Sequence, residues 1–189
     1  MEIILASGSP RRRELLGLIC PEFRVEVSGA DEHLTETLSP EELVARLAEK
    51  KAAEVVSRFP EDVVIGSDTV VELDGEILGK PRDRAEAVSM LSRLSGREHR
   101  VHTAVQILSP RGSRSLVSTA EVHFAPMTGA EIDWYVSTGE PMDKAGTYGI
   151  QGYACRYITG IRGDYYTVMG LPVQMLYQAL RDLGILGEN

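Results

Sequence analysis

Residues 63–78 read VVIGSDTVVELDGEIL. Valine, isoleucine and threonine dominate the first eleven positions, which predicts a strand, VVIGSDTVVEL, buried over most of its length. Asp74-Gly75 then forms a two-residue turn and sends the chain back through EIL as a hairpin. Upstream, the pattern is of another kind. Residues 2–6 are a short apolar strand that breaks into Ser-Gly-Ser-Pro, and a helix over 10–19 follows, with Ser9 as N-cap and Pro10 at the first helical position. FRVEV (23–27) alternates as a strand does. SPEELVARLAEKKAAEVVSRF (39–59) is an amphipathic helix with Ser39 as cap, Pro40 at N1 and Glu42 completing a capping box.

Downstream of the hairpin a helix is expected at 83–94. REHRVHTAVQIL and SLVSTAEVHFAP then form two long strands joined by SPRGS. Residues 129–138 read as helix, 139–152 as Gly-rich irregular chain and 155–161 as a strand. A last helix starts at Pro172 and stops at Gly184. Hairpins mixed with strand-to-helix steps predict an α/β fold, a mixed β-sheet flanked by helices, and disfavour a purely parallel sheet.

The chain has 189 residues, 43% of them hydrophobic, which suffices for one well-buried core. With no repeat, low-complexity tract or linker composition, a single domain over 1–189 is expected. The formal net charge of -8 argues against a general nucleic-acid binder but not against a small anionic ligand, which senses only the local field. Cys20 and Cys155 lie far apart and form no CxxC pair, so neither a metal cluster nor a disulfide is inferred. The N-terminus lacks the basic region of a signal peptide, and no apolar run reaches the roughly 18 residues of a membrane span. A soluble, cytoplasmic protein is the expectation.

Against this acidic background, Arg11, Arg12 and Arg13 stand together where the first strand feeds its helix. Free backbone N–H groups, the positive end of the helix and two hydroxyls meet at such a turn, and together they favour an anion. Arginines there oppose the helix dipole, so the local rule is broken, as it often is at functional positions. A solvated basic turn is the plainer alternative. Asp68 raises a similar question, because a carboxylate inside an apolar strand needs a cation, a metal or hydrogen bonds. A structural Asp capping a turn is the other reading.

GEILGKP (75–81) is not a Walker A loop. Three residues rather than four separate its glycines, and Pro81 follows Lys80 where a Ser or Thr is required. Pro81 does restrain the backbone beside Lys80, which suits a fixed ammonium facing a phosphate. GEPMDKAGTYGIQG (139–152) carries four glycines, a lysine and Gln151, the make-up of a ligand loop or simply of ordinary turns. His99 and His102, three apart on a strand, point to opposite faces and make a poor metal pair. His33 and His123 carry no signal.

In order along the chain, S-x-S-P-R-R, the LAxxKA of 47–52, G-S-D-T-V-V, GKP and DKAGTYGIQG resemble the Maf family, the septum-formation-inhibitor-like nucleoside triphosphate pyrophosphatases. The resemblance runs from Leu5 through GDYYTVMGLP at 163–172. It implies a mixed sheet in two lobes around a cleft, similar to inosine triphosphate pyrophosphatases. It further implies that Ser7, Ser9, Arg12 and Arg13 bind the triphosphate and that Asp68 and Glu32 form a catalytic acidic pair, holding either a divalent metal or the attacking water. That metal would be Mg²⁺, with Mn²⁺ as the alternative. Lys51 and Lys80 would be further catalytic cations.

Thr69 after the strand aspartate and Gln151 in IQG match the dTTP/UTP pyrophosphatase pattern rather than that of members acting on 7-methyl-GTP. Gln151 would read the base, since an amide accepts from a ring N3–H and donates to a ring carbonyl. Ala104, where the family often has Gly, is a modest departure. The implied partner is a nucleoside triphosphate, natural or modified in its pyrimidine, with no nucleic acid and no membrane; the resemblance leaves room for a homodimer. The competing reading is a nucleotide-binding regulator of septum formation that does not turn its ligand over.

Overall fold

The computed structural model describes residues 1–34 and 36–187. Their seven strands form one mixed sheet in the order β2-β1-β3-β5-β6-β7, with β4 paired to β3 off that path. By contact the chain separates into two compact units, and neither is continuous in sequence.

The first unit comprises Met1–Asp68, Thr103–Ser118 and Gly170–Asn189. Strand β1 (Ile3–Leu5) pairs in parallel with both β2 (Arg24–Val25) and the start of β3 (Val63–Leu73). Parallel partners need a crossover, and helices α1 (Pro10–Gly17) and α2 (Pro40–Val56) provide it. Both begin as the sequence predicts. Ser9 accepts from the Arg12 amide, and Ser39 and Glu42 close a reciprocal capping box. Helix α6 (Val173–Asp182) also belongs to this unit, with Pro172 at its N-cap rather than inside the first turn. Ile4, Ala6, Ala52, Val55 and Val64 form a core here, and Phe59 and Leu108 pack against it.

The second unit comprises Thr69–His102 and Thr119–Met169. β3 turns at Asp74 (φ 55°) and Gly75 (φ 83°) and returns antiparallel as β4 (Glu76–Leu78), with Val71 opposite Leu78. Both turn residues have positive φ, as a two-residue type I′ hairpin turn demands. Helix α3 (Arg84–Leu94) is capped by Asp83, and α4 (Gly129–Ser137) by a Thr128–Glu131 capping box. Three short 3-10 turns then carry the chain through 140–157 to β7 (Ile158–Arg162), which pairs antiparallel with β6 (Gly112–Phe124); α5 (Tyr165–Met169) follows. Leu73, Leu78, Leu91, Leu94, Tyr135 and Tyr148 belong to this unit's core.

Strands β3, β5 (Glu98–Ser109) and β6 are each divided between the units, so the boundary falls inside strands. Two expectations shift. The strand expected at 23–27 is paired only at 24–25, and the one expected at 155–161 begins at Ile158, because residues 153–157 form a 3-10 turn.

Candidate functional site

The Ala6 amide donates to the Ile65 carbonyl at 2.8 Å, after which the chain leaves the sheet at Ser7. Ser7 is buried, and its Oγ accepts from the Ser9 amide (3.3 Å) and from Arg12 Nη1 (3.2 Å). Arg12 Nε donates to the Gly170 carbonyl at 2.9 Å, which also accepts from the buried Ser67 hydroxyl at 3.1 Å. Burial pulls the Arg12 pKa below the ordinary arginine value; Asp68 and Glu32 oppose the shift and neighbouring Arg11 adds to it. A guanidinium nevertheless stays charged in proteins. Arg13 is exposed, and with Ser7, Ser9, Glu14, Phe23 and Val25 it lines a cavity of about 550 Å³. Its lining therefore combines a guanidinium, two hydroxyls and a carboxylate with apolar side chains.

Asp68 is 8% exposed, and its cation is Lys51: the ammonium contacts Asp68 Oδ1 and lies 3.0 Å from Glu32 Oε1. Lys51 thus bridges the two acids named from the sequence. This bridge depends on close packing between α2 and β3. A Cβ built on Gly66 would overlap the Ala48 carbonyl oxygen and lie 2.8 Å from the Ala52 amide nitrogen, so only glycine lets the helix backbone come this near. Gly66 and Asp68, two apart on one strand, share a sheet face, and Lys51 sits between Ala48 and Ala52 on the helix turn facing it. The acidic pair also fits a divalent ion. Two carboxylate oxygens converge on a single cation, and hard oxygen donors are what Mg²⁺ takes.

Thr69, Lys80 and Gln151 belong to the second unit. Lys80 and Gln151 are exposed. The residue before Lys80 is fixed to the Gly-rich segment, since the Gly146 amide donates to the Gly79 carbonyl at 3.1 Å. Gly146 also packs so closely on Val71 that a Cβ there would come within 2.6 Å of its side chain. Gly146 (φ 67°) and buried Thr147 (φ 63°) are consecutive left-handed residues. For a β-branched residue that conformation is strained, and the surrounding structure must impose it. This left-handed pair leads directly into Tyr148 and the GIQG turn.

Two histidines, His99 and His102, are buried in this unit. His99 Nε2 meets the Tyr148 hydroxyl at 2.7 Å and His102 Nδ1 the Thr119 hydroxyl at 2.9 Å, which agrees with opposite faces. His123, which carried no signal in the sequence, approaches Glu98 at 3.0 Å, and the ligand atoms of Glu98, Glu121 and His123 fall within 4.8 Å of one another. Arg162 already pairs with Glu121 at 2.9 Å. Sequence reasoning missed Gly170: a backbone carbonyl that serves Arg12 from 158 residues away has no signature in composition or spacing.

A family model described as Maf-like protein matches residues 2–183. A dTTP/UTP pyrophosphatase of Symbiobacterium thermophilum is 54% identical over 185 residues, covering 97% of this chain and 94% of that one. The dTTP/UTP pyrophosphatase of Bacillus velezensis is 50% identical over 183 residues, with 97% of each chain covered. Among solved structures the chain is similar to the Ham1 protein of Staphylococcus aureus, with TM-score 0.54, 16% identity, and 96% of this chain and 99% of that one covered. At that identity the likeness is one of fold. It agrees with the mixed α/β architecture expected from the sequence.

Proposed function

We propose, from the premise that this chain belongs to the Maf-like protein family, that it is a nucleoside triphosphate pyrophosphatase which hydrolyses dTTP and UTP to the monophosphate and pyrophosphate. The observation that carries the reading is Lys51, held between Asp68 and Glu32 in the unit whose arginine turn feels both acids. Cleavage between the α- and β-phosphates places negative charge on the departing pyrophosphate and needs one water aimed at the α-phosphorus.

Arg13 and the Ser7–Ser9 turn offer donors to phosphate oxygens; a guanidinium fork matches two such oxygens at once. Arg12 holds that turn in place through Ser7 and Gly170 and adds its charge to the field. Asp68 is the carboxylate on which the water or the metal depends, and Lys51 fixes its orientation. Lys80 supplies a further cation to the triphosphate. Asp68 and Glu32 would hold Mg²⁺, which when bound neutralises phosphate charge. Thr69 and Gln151 are assigned to the substrate, with Gln151 reading the pyrimidine. The same reading covers modified pyrimidine triphosphates and a cytoplasmic location. The charge of -8 supports the absence of a nucleic-acid partner.

The test is pyrophosphate release from dTTP, UTP, CTP and purine triphosphates, with Mg²⁺ and with a chelator. Asp68→Asn removes both a base and an anionic ligand while keeping the shape, and is expected to lower kcat by at least about 10²-fold with the fold intact. Near-normal dTTP turnover by that variant would make Asp68 structural. Binding of dTTP without release of pyrophosphate by the unaltered chain would favour the regulator of septum formation instead.

A further inference from the structure

We propose that Glu140 is a positioning residue for base selection: its carboxylate clamps the turn that carries Gln151. The proposal rests on the reading above that Gln151 recognises the pyrimidine. Glu140 opens the 3-10 turn after α4 and is half-buried. Its Oε1 accepts from the Tyr135 hydroxyl at 2.8 Å, and its Oε2 accepts from the Tyr153 amide at 2.9 Å. The Tyr135 oxygen in turn accepts from the Gly149 amide at 3.2 Å. The backbone is therefore held two residues before Gln151 and two residues after it, and a Gly152 amide to Gly149 carbonyl bond of 3.0 Å closes the turn between. The Gln151 side chain itself remains exposed.

Two further features belong to the same clamp. A Cβ built on Gly152 would overlap the Glu140 carboxylate, although the backbone there (φ -97°, ψ -152°) is open to any residue. Glycine is required at 152 for the approach of Glu140. Tyr153 is steadied from outside, edge-on to Trp134 at 5.5 Å, while Arg156 lies 4.3 Å from the centre of the Trp134 ring. Burial, with Glu140 taking its hydrogen bond, raises the Tyr135 pKa, so the phenol keeps the proton it donates.

The chemistry asks for a carboxylate rather than an amide. Both donors facing Glu140 need an acceptor, and an ionised carboxylate accepts at both oxygens. A glutamine accepts at one, and its amide group would face either the Tyr153 N–H, which only donates, or the Tyr135 hydroxyl, which already accepts from Gly149. One tether is lost in either orientation. The turn then loosens, and the Gln151 amide no longer arrives pre-oriented, which raises the cost of ordering it on the base.

The experiment compares kcat and KM for dTTP, UTP, CTP and dGTP in Glu140→Gln, Gly152→Ala, Gln151→Ala and the double variant Glu140→Gln/Gln151→Ala, with melting midpoints for each. Glu140→Gln is expected to cut the ratio of kcat/KM for dTTP over dGTP about tenfold, mostly through KM. Gly152→Ala should reproduce that loss with the carboxylate still present, and it carries the test if Glu140→Gln fails to fold. The double variant should select no worse than Gln151→Ala alone. Additive losses in the double variant, or selectivity retained in both Glu140→Gln and Gly152→Ala while Gln151→Ala loses it, would overturn the clamp and leave the base reading standing. A panel unchanged by Gln151→Ala would overturn the base reading itself, and the clamp with it.

Discussion

Arg12 commits its guanidinium to Ser7 and to the Gly170 carbonyl, whereas Arg13, one residue on, stays exposed on the cavity wall. The two should therefore fail in different ways. Arg12→Ala removes hydrogen bonds that tie the turn to a distant segment and is expected to cost about 1–2 kcal/mol of stability along with activity. Arg13→Ala should leave the melting midpoint within a degree or two of the unaltered chain while kcat/KM for dTTP falls by about 10²-fold. Equal losses of melting temperature in the two variants would show that Arg13 is as structural as its neighbour. The sequence marks both arginines as out of place at a helix N-terminus, but it cannot divide them. That division depends on Gly170, whose carbonyl has no side chain to announce it. Asp68 was more legible: an acid within an apolar strand demands a partner, and Lys51 is that partner.

Among the elements, the union of α2 with β3 is the one on which the acid pair depends. Gly66→Ala puts a methyl group against helix backbone, and overpacking of this kind costs about 1–3 kcal/mol. The helix can relieve the clash only by moving away, which takes Lys51 from Asp68. Turnover should therefore fall about tenfold or more even at temperatures where the variant is fully folded. Because the Ala48 carbonyl and the Ala52 amide remain, adding Ala52→Gly should not restore activity. Full rescue by that second change would place the clash in the Ala52 methyl rather than the backbone.

Elements whose signals are local were read well. Ser39 with Glu42 and Ser9 with Pro10 start their helices as expected, and Asp74-Gly75 turns its hairpin. FRVEV was over-read, because alternation describes what a strand could bury and not how much of a neighbour is there to pair with it. β1 offers it only Ile4 and Leu5. The 3-10 turn at 153–157 escaped for a related reason. Its backbone is set by Glu140 reaching the Tyr153 amide, a contact between residues 13 apart with no period in the sequence.

For the molecule as a whole, the composition shows no linker, and the chain divides into two compact units without one. The two units exchange chain within β3, β5 and β6, so the boundary needs no flexible segment and leaves no mark in the sequence. Stability against acid is also a property of the whole chain, and His99 sets part of it. Burial, with a smaller contribution from nearby His123, lowers its pKa from 6.5 to about 4. Only 3% of the residue is exposed, and its Nδ1 is buried without a hydrogen-bond partner among the described residues, so protonating it in the folded state is costly. Above pH 6.5 the imidazole is neutral whether the chain is folded or not, and it contributes nothing to pH dependence. As pH falls from 6.5 towards 4 the unfolded chain takes a proton that the folded chain refuses, and stability declines by about 3 kcal/mol over that window. Below pH 4 this contribution is constant. His99→Gln keeps a polar group for the Tyr148 hydroxyl but cannot titrate, so it should be less stable than the unaltered chain at pH 7.5 and lose less stability on acidification. Denaturant unfolding at pH 7.5 and pH 4.5 checks this, and an equal loss between those two values in both proteins would exclude His99 as the titrating group.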